Sequence, residues 1–512
     1  MHSPRPETER SEISIVAASV MLIAVVGIGI VLRSWGIDAD SWSTDEYYDL
    51  RLIKKPLIEV LTWHDGFPPL YHALLRYWVG FWGTEDSGRW FSVLWGVATI
   101  PVMYDTGRLC VDRRVGLATA FFTSIAPIHV HYSQECRAYA FLTCLSAVTI
   151  WSWLRVCQKN RIGDWGIFLA SCVLGAYTHY FFPLLPFSLG GLALGFEASR
   201  HEHFRTRLVA AVVMTSLLCL PLIPLMRLDL GTQVNYVGQS GFGLLPWGFT
   251  YFSFLVGPSL GPSARQMHEL RGTEALWLFL PYLVVLAVAA LGLAWNAAKP
   301  LMTSRHGRSM LFLAFAPVPL LGVVGNLAQV GYNTRYALWC TLPLAICLAY
   351  AFAGRDSRVS HAMRRMRIVA VILYVGLAVL SIYNRHHRDQ YRTEDMRSVA
   401  DYLQHCEPNV PVFVVSGFMC LPLDYYCGAS REIYAVNDVV GNRESLDRVL
   451  AAMRELAGHG GRYLVVYSRE FYGDPDALLL TALDHTGSVR QVFKAPGVVV
   501  YHGKFAMPVA ID

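Results

Sequence analysis

Apolar runs of near-bilayer length alternate with short polar connections along most of this chain, and only its last quarter breaks the pattern. A helix needs about 20 predominantly apolar residues to cross the hydrocarbon core. Runs of that character fall at 13–32, 88–107, 115–128, 137–154, 164–181, 183–198, 208–225, 275–296, 309–329, 336–353 and 367–384, which predicts about eleven spans. The first is a full spanning length with no small-residue cleavage site behind it, so it reads as a retained helix and not as a removed export signal. Between it and the next run, 54–61 and 70–82 are amphipathic and too short or too interrupted to cross. They are expected to lie at the membrane surface.

From about residue 385 the periodicity changes. Residues 396–405 and 445–456 read as helices, 410–415 and 463–467 as strands, and 489–493 with 498–501 as a hairpin turning at Pro496 and Gly497. Such alternation predicts a small α/β domain. The expected fold is therefore mainly α, a polytopic transmembrane helical bundle followed by a small C-terminal α/β domain. Its parts are a polar tail over 1–12, a transmembrane domain over 13–384 that includes an outer loop at 33–87, and the α/β domain over 385–512.

Composition agrees with this division: 54% of the residues are hydrophobic and 16% charged. The net charge of +5 would fit a nucleic-acid partner if it were concentrated, but the basic residues sit in short clusters between apolar runs. Arg108, Arg113 and Arg114, then Arg155, Lys159 and Arg161, then Arg364, Arg365 and Arg367 all fall on one side of the predicted membrane, which the positive-inside rule makes the cytoplasm. No nucleic acid is expected as a partner. The alternate connections then face outward, and an odd number of spans puts the N-terminus in the cytoplasm and the C-terminal domain in the periplasm or outside the cell. The location expected is the plasma (inner) membrane, with lipid as a constant partner.

Most of the eleven cysteines lie in or beside apolar runs without metal-ligand spacing, and they read as packing residues. Cys406, Cys420 and Cys427 lie in the exported tail, where a disulfide can form, and Cys420 with Cys427 is the pair nearest in sequence. His64, Asp65 and His72 are of the types that hold a divalent metal, but His64 and Asp65 are better read as lining the acceptor path or capping the helix at Pro68. No cofactor is required by this sequence, and a divalent metal is the one candidate.

Polar residue types with chemical use gather in the outward connections. The loop after the first span carries five acidic residues over 36–51, among them the adjacent Asp45 and Glu46 in STDEYYDL (43–50). It is followed by PPLY (68–71), a span opening on GRW (88–90), HYSQECRAYAF (131–141) and NTRYALWCTLP (333–343). In that order these segments resemble the GT-C polyprenyl-phosphate-sugar transferases, most closely the protein O-mannosyltransferase and aminoarabinose-transferase-like glycosyltransferases. The resemblance covers residues from about 10 to 350.

The resemblance implies transfer of a monosaccharide, mannose-like or another hexose or pentose, from a polyprenyl-phosphate-linked donor on the outer face of the membrane, with inversion, in glycosylation of the cell envelope. An acceptor hydroxyl attacking the anomeric carbon needs a carboxylate to take its proton. Either Asp45 or Glu46 can supply one, and the resemblance favours Asp45, with Glu46 positioning it or also essential. A solvated acidic loop that caps nearby helices would show the same residues. The leaving phosphate needs a fixed cation, and arginine's planar fork suits it. Arg335, beside Tyr336, is the expected phosphate ligand, while Arg137 either joins it or pairs with Glu135. His64, Asp65, Tyr71 and His131 are expected to line the substrate path. The acceptor, whether protein, lipid or glycan, is open.

A transporter or flippase of lipid-linked or polar substrates is the alternative from another class. It would place polar residues at mid-membrane in related, broken helices, whereas the charges here gather at one interface. A non-catalytic assembly protein would not require acidic and basic residues to share one face.

Overall fold

The computed structural model describes residues 13–63, 66–195, 202–233, 244–270, 274–327, 333–354, 360–428, 431–458 and 461–505. Two compact units divide the chain: one holds Met1–Trp35, Leu52–Pro258 and Pro281–Ile382, the other Gly36–Arg51, Ser259–Leu280 and Tyr383–Asp512.

The first unit is helical. Among the described residues six helices are long and apolar enough to cross a membrane: Ile15–Ser34, Tyr139–Lys159, Glu274–Leu291, His306–Leu327, Thr334–Ala353 and His361–His387. A seventh arises if Phe204–Cys219 and Leu222–Asp229, which meet at 62°, count as one span. The other runs expected to span take different forms. Ser87–Cys110 is long but carries Arg89, Asp105 and Arg108. Arg113–Ile125 stops after 13 residues because Pro127, which suits only a helix start, opens a new helix Pro127–Ser133. Leu70–Trp82 is a helix over the range expected, ended by Gly83 at φ 71°.

Some polar groups buried in this unit are satisfied at close quarters. Arg33, fully buried in the first helix, donates to Ser133 Oγ and to the carbonyls of Gly29, Ser124 and Thr123 at 2.9 to 3.2 Å. Ser87–Cys110 and Arg113–Ile125 approach through small residues: a side chain at Gly107 would strike Thr119, and one at Gly116 the carbonyl of Tyr104. Backbones brought this close are how helices gain contact where no hydrophobic effect separates them from lipid.

The second unit is built on a five-stranded sheet: β1 (Val412–Val415), β2 (Ile433–Val436), β3 (Arg462–Ser468), β4 (Gly487–Ala495) and β5 (Val498–Phe505), in the order β2-β1-β3-β5-β4. β1 runs parallel to β2 and β3, while β5 lies antiparallel between β3 and β4. Side chains alternate across it with period two. Val412, Val414, Leu464 and Val466 meet the helices Met396–Gln404 and Cys420–Cys427 on one face. Phe413, Val415, Val465 and Tyr467 meet Arg443–Ala457 and Leu478–Thr486 on the other. Each fully buried Val or Leu contributes about 1.5 to 3 kcal/mol against exposure, so a sheet covered on both faces needs no further staple.

Two expectations change here. The acidic stretch, read as a loop, is the helix Thr44–Ile53. Cys420 and Cys427 sit at the two ends of one helix, seven residues apart, a separation of about 10 Å along its axis. That exceeds the roughly 7 Å between Cα atoms that a disulfide can bridge. Both are thiols, and burial pushes Cys420 up to about 12 and Cys427 up to about 11.

Candidate active site

Asp45 and Glu46 are neighbours in sequence with different surroundings. Helix Thr44–Ile53 opens with Ser43, whose Oγ accepts the Glu46 N–H at 3.2 Å, while Glu46 Oε2 accepts the Ser43 N–H at 3.0 Å. This is a reciprocal capping box, and it leaves Glu46 buried at 2% exposure with Asp45 exposed. The spacing Ser43, Glu46 carries the signal for such a cap. Asp45 sits in the first turn, where the helix dipole favours its ionised form.

The helix is anchored within its own unit. The Trp42 N–H donates to the Tyr426 hydroxyl at 2.9 Å, Thr44 Oγ1 lies 3.3 Å from Met419 Sδ, and Ser41 Oγ donates to Asp395 at 2.8 Å. Burial alone would raise the Asp395 carboxyl, but bonds from Ser398 and Ser41 and the charge of Arg392 hold it below its ordinary value. Asp40 pairs with Arg385 at 2.9 Å and Arg392 at 3.1 Å. Asp40 and Asp395 are therefore fixed acceptors, whereas Asp45, like Asp38, is exposed.

In the first unit, Arg137 and Arg335 come together from distant segments. Arg137 is buried with its guanidinium 4.7 Å from the centre of the Phe67 ring, and Arg335 stands 5.3 Å from that of Tyr139. Both charges lie within electrostatic reach of His179. The His179 ring in turn lies 5.5 Å from Phe67, 6.3 Å from Tyr139 and 5.3 Å from Tyr336. Tyr336 stacks on Phe181 at 5.1 Å. Aromatic faces beside two guanidiniums hold those planes in fixed orientations, which suits a ligand with several anionic oxygens.

His131 Nε2 lies 3.1 Å from a carboxylate oxygen of Glu135. Tyr71 is buried at 1% exposure, its hydroxyl 3.9 Å from Cys136 Sγ. His64 and Asp65 lie outside the described residues. His72 is buried, and no three His, Cys, Asp or Glu side chains come together as a metal site among the described residues.

Two residues outside the sequence motifs join this arrangement. His179 has only its place at a helix end to mark it, and its central position comes from packing. Asp229, a lone carboxylate in the apolar helix Leu222–Gln233, did carry a signal, since ionisable residues in such helices are functional by default. It is buried and accepts the Tyr180 hydroxyl at 2.5 Å and the Gly66 N–H at 3.1 Å, pinning the segment that carries Phe67.

Residues 68–224 match the dolichyl-phosphate-mannose-protein mannosyltransferase family at the sequence level. No curated protein matches the chain. Among solved structures, ArnT from Cupriavidus metallidurans in the apo state superposes with a TM-score of 0.58 at 14% identity, over 95% of this chain and 98% of that one. The same protein bound to undecaprenyl phosphate gives 0.57 at 13% identity, over 96% and 98%. The archaeal oligosaccharyltransferase AglB from Archaeoglobus fulgidus, in complex with an inhibitory peptide and a dolichol-phosphate, gives 0.55 at 12% identity, over 96% of this chain and 75% of that one. The chain thus has the fold of these proteins over nearly its whole length.

Proposed function

We propose that the protein is a multi-pass membrane glycosyltransferase that moves a monosaccharide from a polyprenyl-phosphate-linked donor to an acceptor hydroxyl on the outer face of the plasma membrane. Asp45 takes the proton from the acceptor as its oxygen attacks the anomeric carbon. The bond from that carbon to the phosphate oxygen breaks, and polyprenyl phosphate leaves with its negative charge held by Arg335 and Arg137, Tyr336 contributing its hydroxyl. A single displacement of this kind inverts the anomeric centre. The orientation belonging to this reading has about eleven spans, a cytoplasmic N-terminus and an exported C-terminal domain.

The observation that carries the reading is the convergence of Arg137 and Arg335 on one aromatic cluster around His179. Guanidinium planes held against aromatic faces can take several anionic oxygens at once, and a lipid phosphate is such a ligand. The sequence match over 68–224 and the fold of lipid-phosphate-binding proteins point the same way.

The test is transfer by the purified protein in detergent. Synthetic polyprenyl-phosphate sugars should serve as donors and nucleotide sugars should not. Cells lacking the gene should accumulate one lipid-linked monosaccharide, identifiable by mass spectrometry. Transfer from a nucleotide sugar at the same rate would overturn the reading.

A further inference from the structure

In the second unit the sheet reverses direction around β1. The chain pairs β2 on one side of β1, then crosses over to pair β3 on the other. In open α/β sheets the crevice beyond the carboxyl ends of the strands at such a switch point is where functional groups collect. Here the residues that follow the two strands are both non-glycine residues with positive φ: Ser416 at 62° after β1 and Arg469 at 48° after β3. L-residues rarely adopt that region, and such strain clusters at functional positions. Ser416 Oγ donates to the Arg469 carbonyl at 2.8 Å, and Gly473 leaves the room that Ser416 occupies.

The Arg469 side chain is oriented by its neighbours. Nε and Nη2 donate to the two oxygens of Glu394 at 2.8 and 3.0 Å, and the guanidinium lies 5.8 Å from the centre of the Phe418 ring. The next residue, Met419, is the one Thr44 touches. Asp45 follows Thr44, and its charge bears on Arg469.

We propose that Arg469, at the switch point of the C-terminal sheet, is the positioning residue of Asp45, holding the carboxylate ionised and oriented for the incoming hydroxyl; this rests on the reading of Asp45 as the base. The sheet domain would then be part of the transfer machinery. A guanidinium beside a carboxylate favours its charged form, so Asp45 stays a competent base at lower pH than it would alone. Glu394 moderates the field by sharing the same guanidinium.

The other charges nearby are engaged elsewhere. On the helix of Asp45, Glu46 caps Ser43, Asp49 is buried, and Arg51 bears on Asp424. Arg265 lies 3.5 Å from Glu394 and so stands behind it. Glu470 acts on Tyr467 and Tyr501. His268 stacks on Phe471 at 4.3 Å, and burial lowers its pKa, so it is neutral near pH 7.

The experiment is kcat/KM for transfer against pH with the full chain and a synthetic polyprenyl-phosphate sugar, alongside donor affinity and melting temperature. The pair Arg469→Gln with Glu394→Gln removes both charges together and avoids stranding either one. Its acid limb should move to higher pH, with the loss largest at the acid end and donor affinity unchanged. Glu394→Gln alone leaves Arg469 unopposed, so its acid limb should move the other way, to lower pH. A purely structural role would lower the rate at every pH and move neither limb. Unmoved limbs in folded variants, in a protein that Asp45→Asn inactivates, would remove this proposal alone. Full turnover in Asp45→Asn would remove the base and this proposal with it.

Discussion

Ser43 and Glu46 close the start of helix Thr44–Ile53 on each other, the backbone N–H of each donating to the other's side chain at 3.0 and 3.2 Å. The consequence is a division of labour between adjacent carboxylates. Glutamine can complete the same box, so Glu46→Gln should keep most of the transfer activity, whereas Ser43→Ala should lose about 1 kcal/mol of stability. Melting curves and initial rates check both. Inactive, fully folded Glu46→Gln would make Glu46 a chemical participant.

Arg335 stands beside Tyr139, with Tyr336 against His179. Arg335→Lys keeps a charge and loses the planar fork, so donor affinity should weaken. Arg335→Ala should weaken it further, by about tenfold or more, as expected when a charged hydrogen-bond donor is lost. Equilibrium binding of a polyprenyl-phosphate sugar gives the comparison. Equal affinities for all three proteins would remove Arg335 from the donor site.

Much of this was legible in the chain and some was not, for physical reasons. Leu70–Trp82 could be read to the residue because Pro68 and Pro69 precede it, Gly83 ends it and its apolar positions recur with helical period. β3 and β5 announced themselves as short runs of β-branched and aromatic residues, and the turn before β5 by Pro496 and Gly497. β2 did not, since its four residues are half-covered and carry no clear pattern. The motif residues Arg137, Arg335 and Tyr336 could be named from sequence. His179 could not be placed among them, because its neighbours Phe67, Tyr139 and Tyr336 come from separate segments. The grouping of Gly36–Arg51 with the tail is of the same kind. It depends on contacts such as Trp42 with Tyr426, which no local period reports.

Glu394 gives the second unit a pH dependence with a definite sign. Burial alone would raise its carboxyl, but Arg469, and more weakly Arg265, hold it below the ordinary value of 4.5. A carboxyl depressed in the folded state adds stability that is complete above its unfolded value and lost as pH falls through the folded one. Melting temperature should therefore drop on acidification below about pH 4.5, and Glu394→Gln should flatten that drop. An unchanged acid limb of stability in the variant would assign the effect to another group.

The central claim is that Asp45 is the base, and Asp45→Asn addresses it most directly. Asparagine keeps the shape and the hydrogen-bonding capacity of the side chain but cannot take a proton. Transfer from a synthetic polyprenyl-phosphate sugar should fall by roughly 100-fold or more, with donor affinity and melting temperature close to those of the unaltered protein. Turnover near that of the unaltered protein would contradict the account and move the search for the base to Glu46 or Asp65.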